Sequence, residues 1–135
     1  MSWNYEQVTG YMRSPDGLVV GMGYSGASLG KNNPAAQSME NRGPIPVGAY
    51  TIGDPHDTVT HGPFVLPLAP DSGNEMFGRS GFLIHGDSVV APGTASEGCI
   101  IMPKLVREEI ARSLDRKLEV ISGPYQVDSS DTITV

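Results

Sequence analysis

Two stretches set the architecture: Gly81-Phe82-Leu83-Ile84-His85-Gly86 and, after a polar loop over 88–95, Ser96-Glu97-Gly98-Cys99-Ile100-Ile101-Met102-Pro103. Each is a short apolar run bounded by Gly, Ser or Pro, the pattern of a buried strand rather than of a helix. The first run delivers His85 at its end, and the second takes in Cys99 at its start. Pro103 suits the first turn of a helix. Leu105, Val106, Ile110 and Leu114 then repeat at helical spacing, so residues 103–114 read as the one clear helix. The reading is a mainly β fold, a curved sheet or small sandwich-like barrel, with one short helix after the cysteine strand.

The flanking sequence supports it. Residues 3–13 carry Trp3, Tyr5, Val8 and Tyr11, and Ser14-Pro15-Asp16-Gly17 is a turn signal. Leu18 to Tyr24 returns, which predicts an opening hairpin. Residues 26–37 read as a polar loop. Gly43-Pro44-Ile45-Pro46-Val47-Gly48 is stiffened by proline and leads into a strand over 49–52. Residues 54–62 read as a loop, 64–68 and 118–122 as strands, and 125–127 and 132–135 as one or two last strands.

The chain has 135 residues, the size of one domain, so 1–135 is read as a single domain. Seventeen glycines and eleven prolines favour many turns. A net charge of −6 with scattered Lys and Arg argues against nucleic acid and against anionic membrane surfaces. No stretch approaches the roughly 20 apolar residues of a membrane span. Residues 1–9 are polar, so no secretory signal is read there. One cysteine excludes an internal disulfide. His56 and His61 are five apart, with Asp54 and Asp57 as the local ligand candidates, too few for an expected zinc site. No metal and no cofactor are expected.

Cys99 with His85 suits nucleophilic catalysis, because the thiol must lose its proton to attack and an imidazole can take it. Gly98 lets a substrate carbonyl approach the backbone, and preorganised N–H donors must stabilise the oxyanion. Each residue also has a plainer reading: Cys99 as a small core hydrophobe, His85 as a satisfied turn histidine. The joint run Ile84-His85-Gly86-Asp87 with Ser96-Glu97-Gly98-Cys99-Ile100 favours chemistry.

That joint run resembles the signature of the L,D-transpeptidases (YkuD-type), a His-Gly pair followed by Ser/Thr-His-Gly-Cys. Residues 43–50 resemble the family's Thr-Pro-x-Gly-x-Tyr/Phe segment. Glu97 stands where the family has histidine, and Ile101 where it often has arginine. Gly78 to Asp87 and Ala95 to Ile100 are more similar to a divergent branch, the L,D-transpeptidase-like antibacterial effectors of type VI secretion. The resemblance implies Cys99 as nucleophile, His85 as general base, the Gly98 and Cys99 N–H groups as oxyanion donors, and Ser96 as a hydrogen-bonding group of the active loop. It leaves Arg79 to bind a substrate carboxylate in place of the missing arginine. Glu97 would hold a diaminopimelate amino group or face solvent. Asp87 would do similar work or cap the turn, with Gly86 beside it lining the substrate.

The implied activity is L,D-carboxypeptidase or L,D-transpeptidase action, including D-amino acid exchange, on peptidoglycan tetrapeptide stems through a thioester. The implied partners are those stems, a secretion apparatus and an immunity protein in the producing cell. The place of action would be the periplasm of a target bacterium, reached from the producer's cytoplasm. Two other readings stay open: another cysteine peptidoglycan hydrolase (amidase or endopeptidase), and a non-catalytic module binding cell wall or a partner.

Overall fold

The computed structural model describes residues 1–126. The strands are β1 (Ser2–Glu6), β2 (Tyr11–Arg13), β3 (Val19–Met22), β4 (Tyr24–Ser25), β5 (Gly48–Ile52), β6 (His56–Thr58), β7 (Gly62–Pro70), β8 (Leu83–His85), β9 (Ile100–Ile101) and β10 (Lys117–Ile121). One helix, α1 (Lys104–Arg112), lies between β9 and β10. Along the sheet the order is β3-β2-β1-β10-β5-β7-β8-β9-β4, with β6 hairpinned onto β7. The β1–β10 and β8–β9 pairs are parallel and the rest antiparallel.

β7 is the corner of the sheet. Its first half pairs with β8 through Leu66–Ile84, and its second half with β5 through Ile52–Leu68 and Tyr50–Pro70. Pro67 stands where the partner changes, a place where a missing N–H donor is tolerated. The two sheet edges, β3 and β4, are consecutive in the chain and separated by Gly23 alone. The sheet therefore curls until its edges meet, yet no ladder joins them, so it is curved without being a closed barrel. Gly23 has no room for a side chain: a Cβ there would lie 1.6 Å from the Ile101 carbonyl oxygen. Its N–H is bonded to the Gly10 carbonyl at 2.8 Å.

Alternation builds the core. Trp3 and Tyr5, Tyr50 and Ile52, Leu118 and Val120 alternate inward along their strands and meet Leu66, Ile84 and Ile100. Each such side chain contributes about 2 kcal/mol of transfer free energy. The helix covers this core with Val106 and Ile110. Leu105 and Leu114, expected on its apolar face, are 78% and 98% exposed. The buried arc runs through 106, 107 and 110, and the helix stops before 114.

Three other expectations are corrected. Residues 3–13 form two strands, because a turn at 7–10 with Gly10 N–H on the Glu6 carbonyl breaks the run. The opening hairpin is thus β2–β3, closed at Ser14 to Gly17 as expected. Part of the loop over 54–62 is β6, held by ladder pairing to β7 that period-two patterning does not reveal. Tyr125 and Gln126 are not in a strand. The strand expected over 132–135 lies outside the described residues, as does Val127.

Candidate active site

The parallel pair β8–β9 explains how His85 and Cys99 meet. Its register aligns Ile84 with Ile100 and His85 with Ile101. Ile84 and Ile100 are fully buried in the core. Cys99 directly precedes β9 and so extends the register opposite Leu83. Side chains at alternate positions share a face, which puts Cys99, Leu83 and His85 together on the face away from Ile84 and Ile100. Diagonal neighbours on one face lie about 7–8 Å apart at the backbone, within reach of a histidine. Both residues line one cleft of about 300 Å³, with Glu40, Glu97, Arg79 and Phe82 around them.

His85 is 3% exposed, and its Nδ1 lies 2.9 Å from the Gly86 carbonyl oxygen. A carbonyl only accepts, so the proton sits on Nδ1 and Nε2 keeps its lone pair. Burial, first, holds the imidazole below its ordinary pKa, and His61 and Arg107 push the same way; the Gly86 carbonyl and Asp87 oppose. The ring is therefore neutral at pH 7. Burial also pushes the Cys99 thiol up, more than the neighbouring Leu83 N–H draws it down. Both shifts favour a neutral thiol beside a neutral imidazole over a resting thiolate–imidazolium pair.

The loop before Cys99 is tied from within. Ser96 Oγ accepts from the N–H groups of Gly26 and Gly98 at 2.9 and 3.0 Å and donates to the Cys99 carbonyl at 2.6 Å. Ser25 Oγ donates to the Gly98 carbonyl at 2.8 Å. Gly98 adopts φ +143°, and a Cβ there would lie 2.5 Å from Arg79 Nη2 and 2.9 Å from the Phe82 ring. Gly98 was expected to lend its N–H to an oxyanion. That donor is already bonded to Ser96, so Gly98 serves shape and loop geometry instead.

Arg79 is corrected likewise. Its Nη1 donates to the carbonyls of Gln37 and Pro44 at 2.6 and 2.8 Å, and its Nη2 to those of Gly43 and Glu97 at 2.9 and 3.3 Å. The guanidinium is 7% exposed as a residue and lies over the Phe82 ring. A fork filled by four carbonyls clamps two loops together and is not presented to a substrate carboxylate. Asp87, too, is occupied. It accepts from Tyr24 Oη at 2.6 Å and from the N–H groups of Ser88 and Gly93 at 2.8 and 3.1 Å. Burial alone would raise its pKa, but these donors outweigh it and hold the carboxylate low. It caps the 88–93 loop rather than meeting substrate. Gly86 supplies the carbonyl that orients His85, and a Cβ there would lie 2.8 Å from Arg107 Nη2. Glu97 is exposed at the cleft rim with Glu40.

Two residues were missed as site residues. His61, on the β6–β7 hairpin, lays its ring 4.8 Å from that of His85 at a 55° tilt. Its spacing from His56 suggested only a metal pair, and no group of three or more metal-ligating side chains occurs among the described residues. Arg107 is 5% exposed and lines a second cleft of about 790 Å³ that shares His61 and His85 with the first. A charged residue inside the helix's buried arc was the available signal.

A family model, described as the Tlde1 domain, matches residues 20–124. It covers β3 to β10 and every candidate site residue, and the chain belongs to that family of type VI secretion effectors. No curated protein and no solved structure matches the chain.

Proposed function

We propose that this member of the Tlde1 domain family is a cysteine acyltransferase that opens the L,D-peptide bond between diaminopimelate and the terminal D-alanine of peptidoglycan tetrapeptide stems. One observation carries the reading. The β8–β9 register puts Cys99 and His85 on one face of a shared cleft, with Nδ1 of His85 fixed on the Gly86 carbonyl.

From there the chemistry follows in balanced steps. Cys99 Sγ attacks the stem carbonyl as His85 Nε2 takes the thiol proton. Of the two oxyanion donors expected, Gly98 is committed, and the role falls to the Cys99 N–H. The tetrahedral intermediate collapses, the C–N bond breaks, and His85 passes its proton to the departing D-alanine amine. Water then hydrolyses the thioester to a tripeptide, or a D-amino acid amine takes the acyl group and yields an exchanged tetrapeptide. Either outcome removes donors that a growing wall cross-links. That fits an antibacterial effector acting in a target's periplasm, with an immunity protein protecting the producer.

The test is incubation with disaccharide tetrapeptide, with and without D-methionine, read by mass spectrometry beside Cys99→Ala. Loss or exchange of terminal D-alanine that needs Cys99 supports the proposal. Cleavage elsewhere in the muropeptide points to amidase or endopeptidase action. No turnover, with a thiol inert to alkylation, points to a binding module.

A further inference from the structure

We propose that Arg107 and Lys104 form the carboxylate-binding subsite of the cleft, on the side from which the D-amino acid leaves; the inference deepens the acyl-transfer reading above and rests on it. Arg107 is 95% buried by its 5% exposure, yet its fork is only partly used. Nε donates to the Met102 carbonyl at 3.1 Å, and Nη1 donates to the carbonyls of Pro63 and Phe64 at 2.9 and 2.8 Å. Nη2 makes no hydrogen bond among the described residues, and it lies against Gly86 in the second cleft. Nη2 is not sealed in the core but is the edge of the fork left open to the cleft, and a carboxylate is the acceptor that suits a guanidinium edge. Lys104 lines the same cleft from the exposed first turn of α1.

The two clefts differ in the charges they have left to offer. In the first, Arg79 is spent on carbonyls and the uncommitted groups are the carboxylates of Glu40 and Glu97. In the second, Asp87 is spent on Tyr24 and two N–H groups, and the uncommitted groups are cations. His85 lines both. A stem tetrapeptide carries its ammonium, with carboxylates beside it, on the acyl side of the scissile bond, and a carboxylate alone on the leaving side. Laid with its carbonyl at Cys99 and its D-alanine towards the second cleft, it brings its ammonium to the acidic side and its terminal carboxylate to the cations.

The test compares wild-type kcat/KM on disaccharide tetrapeptide with that on the same compound amidated at its terminal D-alanine. A charge-assisted contact of the usual strength predicts about a 30-fold preference for the free acid. Lys104→Gln should lose a few-fold on the acid and nothing on the amide. Arg107→Lys should lose more on the acid, and should fold where Arg107→Ala would orphan three carbonyls. Equal rates on acid and amide, or equal losses on both in Lys104→Gln, would overturn the subsite while leaving L,D-cleavage standing. Should neither compound be turned over, binding decides. N-acetyl-D-alanine and its amide are titrated against the protein, and the Gly86 and Met102 amide shifts are followed. Preference for the acid, reduced in Lys104→Gln, supports the subsite; no preference overturns it.

Discussion

Arg79 and Arg107 are both buried arginines on either side of His85, and they are not equivalent. Arg79 puts four N–H···O bonds onto the 37–44 segment and the loop before Cys99, which uses both terminal nitrogens of the fork and leaves only Nε without a carbonyl. Arg107 anchors α1 to β7 with two bonds, spends a third on the Met102 carbonyl, and keeps Nη2 unpaired beside Gly86. One wall of the cleft is stapled by its cation, and the other presents one. A guanidinium's role is therefore decided by how many of its donors the fold consumes, not by its nearness to Cys99.

The comparison breaks most completely at the seam between the walls. Cys99→Ala and His85→Ala should each lower kcat by about 10³-fold or more while leaving the fold intact, checked by tetrapeptide turnover beside thermal melting. Arg79→Ala should do the reverse. Orphaning four carbonyls costs about 3 kcal/mol, and the melting temperature should fall by roughly 10 °C. Arg79→Lys should recover only part, because one ammonium cannot span four acceptors. If Arg79→Ala melts like wild type and loses only substrate affinity, the staple reading fails.

Gly98→Ala sharpens the same wall. Its Cβ would press on Arg79 Nη2 and Phe82 in a backbone conformation that L-residues resist. A loss of about 2 kcal/mol in denaturant unfolding is expected, with turnover falling alongside. The smallest effect is on pH. With His85 held below its ordinary range, kcat/KM should stay level at pH 6.5 and fall only as His85 protonates below it. Alkylation of Cys99 should keep accelerating past pH 9, since the raised thiol pKa delays the thiolate. An acid limb at or above pH 6.5 would mean that His85 is charged at rest and the buried, neutral base is wrong.

The elements around the site were legible because their signals are local. Ile84-His85 and Cys99-Ile100-Ile101 are apolar runs with chemistry at one end, and Pro103 opens the helix behind them. The fates of Arg79, Asp87 and the Gly98 N–H were not, since each is settled by a partner that folding brings from afar. Arg79 meets carbonyls at 37–44, and Asp87 meets the Tyr24 hydroxyl. Tyr24 answers by having its own pKa pushed up to about 12, by burial first and then by Asp87. No spacing rule on one strand reports a bond to another. His61 escaped for the same reason: its place beside His85 depends on the β6–β7 hairpin docking against β8.

The parallel pair β1–β10, which aligns Ser2 with Lys117, has a consequence for how the chain matures. β1 sits mid-sheet, yet its inner neighbour is the last described strand to be synthesised. Until β10 arrives, β1 and β5 each present an unpaired edge that invites pairing with other chains. Contacts spanning nearly the whole sequence also slow folding, because loop closure must come before the reward. A nascent copy therefore joins the two halves of its sheet only once β10 has been made.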